Sequence, residues 1–124
     1  MSPVLRGVVA AHGDLAAGLV RAAEEISGVR GALVPVSNSG CDRSQLEQRI
    51  AEAMGEGPGL VFVDMPSGSC LFAALSDLRG WHGVRIVTGV NLAMLLDFVF
   101  HRELPVEDAA ARAVETGARS IVSR

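Results

Sequence analysis

The chain contains no lysine; all eleven of its basic residues are arginine. They are scattered rather than clustered, which reads as composition and not as function. With a net charge of −3 at pH 7, nothing resembles the basic patch that a nucleic-acid-binding surface needs. Cysteine is scarce too. Cys41 and Cys70 are too few for a disulfide framework and lack CxxC spacing, so both are expected to be reduced thiols in a cytoplasmic protein. Residues 1–6 hold no long apolar stretch, so no signal peptide is expected. No apolar run approaches the length of a membrane span. The apolar segment Leu92 to Phe100 is interrupted by Asp97 and reads as a buried helix.

What is present is apolar and regularly spaced. With 124 residues, 49% of them hydrophobic, the chain is expected to form one domain over 1–124 with a real core. Leu5 to Ala11 reads as a buried strand. A helix follows over about Leu15 to Ile26, with Asp14 as its N-cap, Ser27-Gly28 as its stop, and Leu15, Leu19, Ala22 or Ala23, and Ile26 as its apolar face. Ala32 to Val36 is a second strand. A helix begins at Cys41 or Asp42 and turns Leu46, Ile50 and Met54 inward, ending at Gly55.

Leu60 to Val63 is a continuous apolar strand, as in a parallel sheet covered on both faces. It ends at Asp64. After the loop 65–69 come a helix over about Cys70 to Leu78, a strand over Val84 to Thr88, and a helix from near Asn91 to about His101. The last helix opens at Pro105, with Val106, Ala109 or Ala110, Ala113 and Val114 facing inward. Ser120 to Ser123 can add a short antiparallel strand.

Alternation of this kind predicts an α/β fold: a doubly wound, mostly parallel four-stranded sheet in the order 2-1-3-4, with helices on both faces. Ligands bind such sheets where the winding reverses, here between the carboxyl ends of strands 1 and 3. Those two strands end at His12 and Asp64. Residues far apart in sequence therefore meet on one rim.

An imidazole titrates near neutral pH, so its neutral form can act as nucleophile or base. Asp64 can fix its tautomer by accepting from Nδ1, which leaves Nε2 free. Gly13, Ser67, Gly68 and Ser69 can supply backbone amides and hydroxyls to an anion at that nitrogen. Each piece also has an ordinary reading: a histidine after a buried strand can be a polar turn residue, and Asp64 can be a turn former. The glycine-serine loop matches neither GxxxxGK[ST] nor GxGxxG. No further histidine or cysteine has ligand spacing around this rim, so no metal and no cofactor are expected. His82 and His101 read as surface or capping residues, and Cys70 as an inert thiol.

These pieces, taken in order, resemble the fructose/mannose-type IIA domain of the sugar phosphotransferase system. The matching residues are Ala11-His12-Gly13-Asp14-Leu15-Ala16-Ala17-Gly18-Leu19, Phe62-Val63-Asp64 with Gly68-Ser69, Thr88-Gly89-Val90-Asn91-Leu92-Ala93-Met94-Leu95, and Ala113-Val114-Glu115-Thr116-Gly117. The resemblance implies a phosphocarrier. Its histidine, here His12, accepts a phosphoryl group from the carrier HPr and passes it to a IIB partner. Asp64 matches the orienting aspartate and Ser69 the serine of the following loop. The resemblance also implies a homodimer, in some members built by exchange of a C-terminal strand.

The loop departs from the family pattern. Ser67 stands in a glycine place, Cys70 in a proline place and Phe72 in an asparagine place. These departures leave two other readings open: a regulatory module that signals to another protein, and a phosphocarrier serving a dihydroxyacetone kinase.

Overall fold

The structure is a computed structural model that describes residues 4–77 and 83–124. Its elements are β1 (Arg6–Ala11), α1 (Leu15–Ser27), β2 (Leu33–Ser37), α2 (Arg43–Met54), β3 (Gly59–Val63), α3 (Ser69–Asp77), β4 (Val84–Val87), α4 (Leu92–Val99) and α5 (Val106–Arg119). The four strands form one parallel sheet in the order β2-β1-β3-β4. This is the expected doubly wound arrangement.

Strand alternation divides the core into two layers. On one face Val9, Ala11, Leu60 and Phe62 pack with α1, α4 and α5. On the other Val8, Ala10, Val61 and Val63 pack with α2 and α3. Phe62 meets Phe98 edge-on, with ring centroids 5.2 Å apart. The sheet lies so close to α4 that a Cβ on Gly7 would stand 2.7 Å from both Phe98 and Leu33; only glycine fits at this point of β1.

Helix ends follow their capping residues. Asp42 and Gln45 form a reciprocal capping box at the start of α2. Gly28 ends α1 in the left-handed conformation. Asn91 caps α4 by accepting from the Met94 amide, and its own amide group donates to Gly117 O, tying α4 to α5.

Asp14 occupies the N-cap of α1, as expected, though its side chain makes no capping bond. Three expectations are corrected. The buried residues of α1 are Ala16, Val20 and Ala23, with Leu19 partly buried against the core; Ala23 and Leu19 stand as expected, while Leu15 and Ile26 are exposed. Both sets have helical spacing, and the smaller residues are the ones that let the helix approach the sheet. On α5, Gly117 is buried and Val114 exposed, because Met94 occupies the space beside Gly117. Residues 121–124 form no strand within this single chain. Ile121 and Val122 are exposed there. His82 and the expected last residue of the third helix, Leu78, lie outside the described residues.

Candidate functional site

The register brings the two rim residues together. Ala10 pairs with Val63 and Ala11 with Ser37, so the chain leaves β1 at His12 beside the point where it leaves β3 at Asp64. Asp64 Oδ2 accepts twice from His12: from its backbone amide at 3.0 Å and from ring Nδ1 at 2.6 Å. The same carboxylate oxygen thus fixes both the backbone and the ring of one residue.

Electrostatics sets the tautomer. Burial alone would raise the Asp64 carboxyl, but hydrogen bonds from the His12 ring and amide, with the attraction of the ring, hold it below the ordinary carboxylate value. Asp64 is therefore ionised and can only accept, which requires the shared proton to reside on Nδ1. Nε2 is left as the open position of a ring that is 42% exposed, against 9% for the Asp64 side chain.

The turn that carries His12 is held from the β2 side. Gly13 has φ 60°, where glycine is favoured. Its carbonyl accepts from Ser37 Oγ at 2.7 Å, and its amide donates to Asn38 Oδ1 at 3.1 Å. The Gly13 amide therefore already has an acceptor. Ser37 and Asn38 were not singled out from sequence; the signal was the predicted 2-1 strand adjacency, which sets the polar end of β2 beside the His12 turn.

The loop after β3 closes the other side. Ser69 Oγ stands 3.4 Å from His12 Nε2, a long contact that places a hydroxyl beside the outward ring nitrogen. Gly68 lies against the ring: a Cβ there would be 3.6 Å from Cε1, and its φ of 102° favours glycine in any case. Ser69 opens α3, whose first amides lack intrahelical acceptors. Ser67 is exposed in this loop, and among the described residues no hydrogen bond links it to His12. Asn91 is committed to the α4–α5 junction.

Cys70 is the residue that spacing hid. It is fully buried in the first turn of α3. One donor atom each from His12, Asp64 and Cys70 lies within 4.8 Å of the others. Burial, reinforced by the charge of Asp64, pushes the thiol up to about 11, so Cys70 is unreactive as a nucleophile, as expected. His101 caps its own helix end through Nδ1 and Asp97 O at 2.7 Å, also as expected.

The model of the family described as EIIA-man, PTS system fructose IIA component, matches residues 7–115. No curated protein sequence matches the chain. Among solved structures, the chain is similar to the mannose/sorbose-specific IIA subunit of the phosphotransferase system from Enterococcus faecalis, with TM-score 0.81, 24% identity, and coverage of 100% of this chain and 96% of that one. It is similar to phosphotransferase system component EIIA from Streptococcus agalactiae, with TM-score 0.85, 22% identity and 95% coverage of both chains. It also resembles a sigma-54 interaction domain protein from Enterococcus faecalis, with TM-score 0.76, 15% identity, and coverage of 97% and 95%. At these identities the structural likenesses establish the fold.

Proposed function

The chain belongs to the EIIA-man family, PTS system fructose IIA component, and we propose that within it His12 is the phosphoryl acceptor of a cytoplasmic phosphocarrier. It takes the group from the phosphohistidine of HPr and hands it to a IIB partner. The observation that carries this reading is the double hold of Asp64 Oδ2 on the His12 amide and Nδ1, which aims Nε2 outward from the switch point of the sheet.

In the transfer, the Nε2 lone pair attacks the phosphorus of the donor. The donor's P–N bond breaks, and its electron pair returns to the donor ring. His12 becomes a phosphorylated imidazolium whose positive charge faces the Asp64 carboxylate. Phosphoryl transfer depends mainly on positioning and charge, and both are supplied here by residues fixed before the donor arrives. Ser69 Oγ, 3.4 Å from Nε2, donates to a phosphoryl oxygen, joined by the amides of Gly68 and Ser69 and by the Ser67 hydroxyl. The Gly13 contribution is conformational, since its amide is held by Asn38. Transfer to IIB is the same displacement in reverse.

No helix among the described residues is long and apolar enough to cross a membrane. In this reading both exchanges take place with proteins that dock on the rim carrying His12. A second copy of the chain is the further partner proposed. The exposed Ile121 and Val122 and the outer edge of β4, which pairs with no further strand among the described residues, support it, because such an edge accepts another strand.

The test is phosphorylation by phosphoenolpyruvate, enzyme I and HPr. One acid-labile phosphate per chain is expected, and none in His12→Ala. An unmodified wild type under active donor conditions refutes the reading.

A further inference from the structure

We propose that His12, Asp64 and Cys70 form a binding site for one zinc-type divalent cation, with the phosphoryl-accepting ring among its ligands. The three residues supply a nitrogen, an oxygen and a sulfur donor within 4.8 Å of one another. That is the mixed donor set a borderline ion such as Zn2+ or Co2+ selects. Three protein ligands with a fourth position left to water is the arrangement of an open zinc site.

A second observation points the same way. Asp64 Oδ1 is buried and has no hydrogen-bond partner among the described residues, on a side chain that is 9% exposed. A buried carboxylate oxygen without a partner is costly, and coordination to a cation satisfies it. Oδ2 meanwhile keeps its bond from the His12 amide. Charge also balances: a dication, the Asp64 carboxylate and a Cys70 thiolate sum to zero with neutral His12.

Binding releases one proton. The thiol proton leaves to solvent. The ring proton on Nδ1 gives way to the metal, and the neutral ring carries its proton on Nε2 instead. That tautomer has no lone pair on Nε2, so metal binding and phosphoryl acceptance exclude each other. This exclusion rests on the proposed role of His12, whereas the binding itself does not.

The experiment is a titration of the purified protein with Co2+, read by absorption. A near-ultraviolet thiolate-to-cobalt charge-transfer band saturating at one ion per chain is expected, with displacement of Co2+ by Zn2+. The band should vanish in Cys70→Ser. Affinity should fall by at least about 10–100-fold in Asp64→Asn, since a direct ligand contributes no less than an outer-shell partner; this variant keeps the thiol and tests the site if Cys70→Ser fails to fold. The absence of a charge-transfer band in the wild type, or a band that survives in Cys70→Ser, overturns the site.

In a parallel arm, preformed phospho-HPr is mixed with the protein with and without Zn2+. Slower labelling with Zn2+ supports the exclusion, and unchanged labelling at saturating Zn2+ overturns it. A cobalt band in a protein that takes no phosphate even without metal keeps the site and removes the phosphocarrier reading. Phosphorylation without a cobalt band does the opposite.

Discussion

Among the described residues, two nearly enclosed aspartates stand beside histidines, and only one pair is built as a site. The Asp64 and Asp97 side chains are 9% and 7% exposed, and each has one carboxylate oxygen with no hydrogen-bond partner among the described residues. Around Asp97 the charge is neutralised in place. Arg112 pairs with Oδ1 at 2.9 Å, while the His101 ring turns to the backbone carbonyl of its own helix and stands 3.5 Å from the carboxylate. Around Asp64 no guanidinium enters among the described residues, and the short bond goes to His12 Nδ1. The Asp97–Arg112 ion pair joins α4 to α5. The Asp64–His12 pair holds a ring at the rim of the sheet with a nitrogen facing out. An Asp–His pair becomes a candidate site when the carboxylate lacks another cation and the topology leaves the far ring nitrogen open.

Breaking the two pairs should therefore have opposite consequences. The largest effect is expected from His12→Ala, which removes phosphorylation altogether with the fold retained, as read by phosphate incorporation beside circular dichroism. Next is Asp64→Asn. It keeps the shape but replaces an acceptor-only oxygen pair with a neutral amide that can present a donor to the ring, and the transfer rate should fall by about 10²-fold or more; a wild-type rate would remove Asp64 from the mechanism.

At the other pair, Arg112→Ala leaves a buried carboxylate uncompensated. Because Arg112 is half exposed, the loss is expected at about 1–2 kcal/mol in denaturant unfolding, with phosphorylation unaltered. The smallest effect is predicted for Ser69→Ala, which removes one hydrogen bond to the phosphoryl group, worth about 1 kcal/mol or several-fold in rate. A larger loss than in Asp64→Asn would show that the loop, not the carboxylate, dominates.

Much of this arrangement is legible in the sequence, for physical reasons that also mark where legibility ends. The apolar run at 60–63, the short strand at 84–87 and the alternation with helices point to a parallel sheet, and the handedness of crossovers then brings His12 to Asp64. The face of α1 is not legible, because Leu15 and Ile26 satisfy the same period as Ala16, Val20 and Ala23; what decides is how near the helix lies to the sheet. The clamp of Ser37 and Asn38 on Gly13 depends on where side chains point at the end of β2. The approach of Cys70 depends on the path of residues 65–68 over the rim. Neither is encoded in a spacing.

The central claim is that Asp64 holds the proton on Nδ1 and so commits His12 to react through Nε2. Nitrogen-15 and phosphorus-31 NMR of the protein labelled from phospho-HPr tests it most directly. The account predicts a single phosphohistidine, coupled to Nε2 of His12, with the ring proton on Nδ1. Phosphate bonded to Nδ1, or to any residue other than His12, would contradict it.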